Sequence, residues 1–157
     1  MTERDPTRAV QAAGALWDAP EQAEAILLAA LDASPESEMI LVALYRFYFY
    51  RGEWLKAIAL AERCITHSAK TLGIDSDWRM VCDAARVADD GLDFADYALP
   101  QHRFYLFSLN AYGYLLARVG RLADSEAVLS AVKRRDPQDR IGGGRLLDVV
   151  RTGPDLE

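Results

Sequence analysis

Leu44-Tyr45…Tyr48…Gly52-Glu53-Trp54…Ala57 has a counterpart further along the chain in Tyr112-Gly113…Leu116…Gly120-Arg121-Leu122. In each stretch a glycine stops an aromatic-rich apolar run, and a second periodic run begins directly after it. The two glycines stand 68 residues apart, twice 34. Pro35 and Pro137 are 102 residues apart, three times 34, and mark pair boundaries in the same frame. A fixed interval of roughly 20–50 residues is the signature of stacked supersecondary units, none of which covers its own apolar face alone.

Outward from these glycines, helix signals follow one another and strand signals are nearly absent. Asp5-Pro6, a cap followed by a proline at the first helical position, predicts a helix from about Pro6 to Trp17. Pro20 opens a second helix with Ala23, Ile26, Leu27, Ala30 and Leu31 on one stripe. A third is expected over about Ser37–Arg51, and a fourth over Trp54 to about Leu72, closed by Gly73. Residues 74–99 are irregular: one short helix over Trp78 to about Val87, a turn at Asp89-Asp90-Gly91, then a short helix or ordered loop to Tyr97. Pro100 restarts a long helix to Val119, and Leu122–Arg135 forms its partner. Asp136-Pro137 caps the next element, and Ile141–Arg151 is a short terminal helix before a fraying tail from Gly153 to Glu157.

The expected fold is therefore all-α, a single domain over 1–157 built of helical hairpins. Its units run over about 2–35, 36–69, 70–103 (degenerate) and 104–137, with a terminal helix over 138–152. Ala23, Ala57 and Ser125 fall at the same place in three units, where two helices approach closely and a larger side chain would wedge them apart.

Residues 37–69 and 106–137 resemble tetratricopeptide repeats, and the first unit is similar but weaker; together they cover about two thirds of the chain. The chain departs from the pattern in three places. Tyr45 stands where the repeat usually has glycine, Ala61 where it has an aromatic residue, and Arg86 where the third hairpin should turn. The resemblance implies a superhelix of hairpins whose concave face holds a protein partner, as in chaperone cofactors, secretion chaperones and complex scaffolds. The runs Arg46-Phe47-Tyr48-Phe49-Tyr50 and Arg103-Phe104-Tyr105-Leu106-Phe107 are also similar to small repeat proteins encoded in nitrogen-fixation gene clusters.

Composition narrows the function class. A net charge of −6 opposes nucleic-acid binding, which needs a clustered basic surface. Lys133-Arg134-Arg135 is short and suits a helix C-terminus, where it complements the dipole. The charged N-terminus lacks the apolar stretch of a secretory signal, and no run reaches the roughly 18 apolar residues of a membrane helix. Cys64 and Cys82 make no disulfide framework, so the expected compartment is the cytoplasm with both thiols reduced.

Five aromatics in six positions, Tyr45 and Phe47 to Tyr50, cannot all be buried against one neighbouring helix. With Leu44 and Tyr48 turned into the pair, Arg46 and Phe49 fall on the inner face of the first-helix row with Tyr114 and Arg118 of the fourth unit, and Tyr50, Phe107 and Asn110 stand behind them. Tyr and Arg are enriched at binding hot spots, so these seven are the candidate partner-binding residues. The plainer account is that another helix packs over them, or that the row is a homodimer face. Arg46, Asn110 and Arg118 form a thin version of a carboxylate clamp.

Other chemistry has weaker support. Cys64, His67, Cys82 and His102 are the right residue types for tetrahedral zinc, but their spacing follows no zinc pattern, and a buried free cysteine serves as a small hydrophobe. Seven aspartates, Asp75, Asp77, Asp83, Asp89, Asp90, Asp93 and Asp96, lack the alternation of a calcium loop and suit caps and turns. Gly142-Gly143-Gly144 follows a helix and lacks the Gly-Lys-Ser/Thr ending of a phosphate loop. No nucleophile elbow or paired serine and histidine is present. The expectation is a non-catalytic adaptor or assembly scaffold with a protein or peptide partner and no cofactor. The alternative is a metal- or small-molecule-binding accessory protein of a metalloenzyme pathway, with a pocket ringed by Trp78, Cys82 and His102.

Overall fold

The computed structural model describes residues 5–153, and over them the chain is all-α, with nine helices and no strand. These are α1 Pro6–Gly14, α2 Pro20–Ala33, α3 Glu38–Tyr50, α4 Trp54–Leu72, α5 Trp78–Val81, α6 Ala84–Asp90, α7 Pro100–Arg118, α8 Leu122–Arg135 and α9 Gly143–Thr152. Contacts divide the chain into two compact units between Leu60 and Ala61, a point inside α4. The expected fraying of residues 154–157 lies outside the described residues.

Both hairpin glycines are left-handed, with φ of +71° at Gly52 and +85° at Gly120. Each ends its helix in a Schellman turn. Glu53 N donates to Tyr48 O at 3.0 Å and Gly52 N to Phe49 O at 3.1 Å; Arg121 N donates to Leu116 O at 2.9 Å and Gly120 N to Ala117 O at 3.0 Å. A side chain would be strained at that φ, so glycine makes the abrupt reversal possible.

In the first unit α1, α2 and α3 pack on one another. Asp5 caps α1 through Thr7 N at 3.0 Å, and Ser37 caps α3 through Ile40 N at 3.4 Å. The core is Ala23, Leu27, Ala30 and Leu31 of α2 with Ile40, Leu41, Leu44 and Tyr48 of α3, and Ala57 is also fully buried. Helix α1 ends at Gly14 rather than at Trp17. Leu16 N turns back to Ala13 O at 3.0 Å, and the Trp17 ring is left 84% exposed with no apolar surface to hold it in a further turn.

The second unit centres on α7 and α8. Ser125 Oγ donates to Gly113 O at 2.7 Å, which the two backbones allow only by approaching closely. A Cβ added to Gly113 would lie 2.6 Å from Leu129 Cδ2. Around this contact Tyr105, Leu106, Leu109, Leu116, Val128, Ala131 and Val132 build a core with Ile65, Ala69, Val81, Cys82 and Phe94. Helix α9 closes one side through Leu147 and Val150, packed with Ala117 and Leu129. The glycine triplet serves that packing: a Cβ on Gly143 would meet Val132 Cγ1 at 2.7 Å. Gly142 is the N-cap of α9, and the Asp139 carboxylate takes its first amides, accepting from Gly144 N at 2.8 Å and Arg145 N at 3.2 Å. Buried Asp136 instead closes the preceding turn on Arg140 N and Ile141 N.

The expected helix over 78–87 is two helices. In a continuous helix Val81 O would accept from Ala85 N; here Ala85 N goes to the Asp83 carboxylate at 3.0 Å. Val81 O is taken by Arg135 Nη2 at 2.7 Å and Cys82 O by Arg134 Nε at 2.7 Å. The basic end of α8 thus satisfies the last carbonyls of α5.

Candidate functional site

Helix α3 is apolar almost all round, so the core stripe Ile40, Leu41, Leu44 and Tyr48 uses only one of its faces. The adjacent face recurs at helical spacing as Met39, Val42, Ala43, Arg46 and Phe47. It forms one wall of a groove of about 760 Å³ within the first unit. Val10, Ala13 and Gly14 of α1 form the facing wall, Leu27 comes from α2, and Glu38 stands at the start of α3. A Cβ on Gly14 would meet nothing within 4 Å, and Met39 is 48% exposed.

Arg46 is exposed, lines this groove, and sits 6.0 Å from the Tyr50 ring centroid. Tyr50 itself is 75% exposed. Phe49 is half-buried in an aromatic cluster, 5.8 Å from Tyr45 and 5.7 Å from Trp54 between centroids. On α7, Phe107 is exposed and Tyr114 and Arg118 are half-buried. Asn110 Oδ1 lies 3.3 Å from where a Gly143 Cβ would stand, so the start of α9 lies against Asn110.

Behind the groove wall, Tyr48 donates to Glu24 Oε2 at 2.7 Å, and Lys56 Nζ lies 3.4 Å from the same oxygen and 5.4 Å from the Tyr48 ring centroid. The Tyr48 hydroxyl, then Lys56, hold the Glu24 carboxyl below its usual range, while burial and then Glu24 push the Tyr48 phenol up. This network ties α3 to α2 behind the groove wall.

The "Uncharacterized 19.8 kDa protein in nifW 5′ region" of Azotobacter chroococcum mcd 1 is 35% identical to the chain over 140 residues, covering 86% of this chain and 76% of that protein. The chain belongs to the family of that protein. The relationship supports the link to nitrogen-fixation gene clusters suggested by the two aromatic and basic runs. No family model and no solved structure matches the chain.

In this family member the metal candidates are distributed through packing. Cys64 and Cys82 are buried and not joined in a disulfide, and burial pushes Cys82 up to about 11. His102 meets Phe94 edge-on at 4.9 Å, and His67 is half-buried. Among the described residues no three His, Cys, Asp or Glu side chains are grouped to hold a metal ion. Trp78 and Cys82 both belong to the apolar cluster around Phe94 and Tyr105. The aspartates act as caps and turn-formers: Asp75, Asp77, Asp83, Asp90, Asp93 and Asp96 each accept from the amide two residues ahead at 2.9–3.0 Å. No helix among the described residues is long and apolar enough to cross a membrane.

The strongest electrostatic feature escaped sequence reading. Arg135, with 2% of its side chain exposed, grips Asp90 with two bonds of 2.8 and 2.7 Å and lies 4.6 Å from the Phe94 ring centroid. Arg135 holds the Asp90 carboxyl down to about 2. A cavity of about 250 Å³ is lined by Arg134, Arg135 and Arg140 with Asp93 and Asp136, and there Arg140 pairs with Asp93 at 3.2 Å as Arg135 does with Asp90 at 2.7 Å, an arrangement that suits a structural clasp. No spacing between residues 90 and 135 announces the contact. The groove did carry a signal: α3 has a second apolar stripe beside its core stripe.

Proposed function

We propose that this protein is a non-catalytic, cytoplasmic scaffold of tetratricopeptide-like helical hairpins that holds a protein partner. The observation that carries the proposal is the apolar groove of about 760 Å³ between α1 and α3, bordered by the exposed Arg46. Concave, mainly apolar clefts of a few hundred Å³ with a few polar groups at their edge are the usual form of a binding site. Arg46 and Tyr50 are of the types enriched at hot spots, and Phe107, Tyr114 and Arg118 on α7 are further contact candidates. Two Schellman-closed hairpins at a 68-residue interval, with small buried residues at Ala23, Ala57 and Ser125, support the repeat assignment. The Azotobacter relative, by its name a protein in the nifW 5′ region, supports a partner among the products of nitrogen-fixation genes.

The test is capture from a lysate of the source organism with the tagged chain, comparing the native protein with Ala43→Arg, which fills the groove, and Arg46→Glu. A stoichiometric partner identified by mass spectrometry, retained by the native chain and lost from both folded variants, is the expected outcome. Equal capture by all three rejects the groove. Sedimentation at two concentrations distinguishes self-contact, since a homodimer through this face dissociates in the same variants.

A further inference from the structure

We infer that the cavity at the C-terminal end of α8 is a binding site for a small aliphatic carboxylate. It lies within the second unit, has a volume of about 250 Å³, and is separate from the groove of the first. An inventory of its donors and acceptors shows what is left unspent. Asp93 takes Ala95 N at 3.0 Å and Arg140 Nη1 at 3.2 Å, and Asp136 takes Arg140 N at 3.0 Å and Ile141 N at 2.7 Å, each carboxylate using both oxygens. Arg135 is equally occupied, with Nε and Nη2 on Val81 O and Nη1 and Nη2 on Asp90. Arg140 spends its terminal nitrogens on Asp93 and on Gln138 Oε1 at 2.8 Å. Arg134 is different. Its Nε donates to Cys82 O at 2.7 Å, and no described residue accepts from its Nη1 or Nη2. Among the described residues it is the one arginine of the cavity without a carboxylate partner. Gln138 Nε2 is likewise unspent, while Arg140 fixes the Oε1 end of the same amide. The side chains thus offer unmet donors while every lining carboxylate oxygen is already engaged, which selects an anion.

The kind of anion follows from charge, shape and size. With Nε tethered to Cys82 O, the planar guanidinium of Arg134 presents Nη1 and Nη2 as a fork that matches the two oxygens of a carboxylate. Asp93 and Asp136 disfavour a second negative charge, so a phosphate monoester, carrying about −1.5 to −2, is poorly served by one free arginine. Val87, Leu92 and Pro137 line the rest with apolar surface, which a hydrated inorganic anion does not use. The volume is below the roughly 300–1,000 Å³ of pockets for drug-sized ligands, so the aliphatic part is a few carbons. Two sources share this chemistry: a free short or branched acid, and the C-terminal residue of a polypeptide.

The experiment is titration of the full chain with sodium isobutyrate at constant ionic strength, followed by ¹H–¹⁵N NMR at the Arg134 side chain and the amides of residues 87–93 and 134–140. Saturable shifts with a half-point on the order of 1 mM are expected. Isobutyramide, which lacks the charge, and inorganic phosphate, which lacks the apolar part, should each bind about tenfold more weakly. Arg134→Gln should weaken isobutyrate about tenfold, and so should Leu92→Glu, a like charge placed on the cavity wall at an exposed position outside these side-chain bonds. N-acetylvaline tells the two sources apart: binding tighter than isobutyrate assigns the site to a chain terminus, and weaker binding assigns it to a free acid. No saturable shift, equal binding of isobutyramide or phosphate, or unchanged affinity in Leu92→Glu or in a folded Arg134→Gln overturns the inference.

Discussion

The two units meet the same problem, an apolar helix ending in a left-handed glycine, and solve it to different degrees. In the second unit α7 is buried along most of its length, pressed on Ser125 and Leu129 of α8 and closed at one end by α9. In the first unit α3 is just as apolar, yet only one stripe is buried, and its neighbouring stripe lines an open groove. A terminal helix and a buried arginine close the second unit, whereas in the first α1 packs on α2 and α3 and leaves a groove open between itself and α3. The hairpin motif therefore dictates how two helices turn and pair, and leaves open what covers their outer faces.

That contrast can be broken first at the clasp. Arg135→Ala should cost about 3 kcal/mol in urea unfolding, toward the lower end for a broken buried pair because the Asp90 side chain is 34% exposed. Hydrogen exchange should report the loss in α5, α6 and α8, with α1 to α3 protected as before. The same contact sets an acid limit. The Asp90 carboxyl lies near 2 in the folded chain against an ordinary 3.8, so the unfolded chain takes up its proton first as pH falls. Its contribution is complete above about pH 4 and fades toward pH 2. Asp90→Asn should flatten the acid limb of a stability profile in that window; an unchanged slope would dissociate the clasp from acid unfolding.

The next largest effect compares two glycines. Gly113→Ala places a methyl group 2.6 Å from Leu129 Cδ2 and should destabilise by about 2 kcal/mol despite its better helix propensity. Gly14→Ala enters open space on the groove wall and should stabilise by about 0.5 kcal/mol. Equal signs from thermal melts would mean the two units are packed alike, contrary to the comparison. Between these in size, Gly52→Ala should cost about 1 kcal/mol through strain at positive φ, with Gly120→Ala close to it if both turns do the same work.

Most of the fold was legible in the sequence because its causes are local. Helices α2, α4 and α8 begin and end at the residues their caps, prolines and glycines indicate, since the signals act within one turn. The errors fall where a distant group intervenes. The helix expected over 78–87 is two because Asp83, Arg134 and Arg135 take the bonds that a continuous helix would make. The site was legible in part: Arg46 was placed on the row, whereas Ala13, Gly14 and Leu27 gave no sign of becoming groove walls.

The sequence by itself determined an all-α chain and the glycine turns that end α3 and α7, consequences of backbone geometry within a few residues. Only the tertiary structure decided that α9 closes over α7 and α8, that Arg135 and Asp90 meet across 45 residues, and that the second stripe of α3 faces a groove. Burial and ion pairing depend on which surfaces arrive opposite one another, and that information is spread over the whole chain rather than held in any one turn.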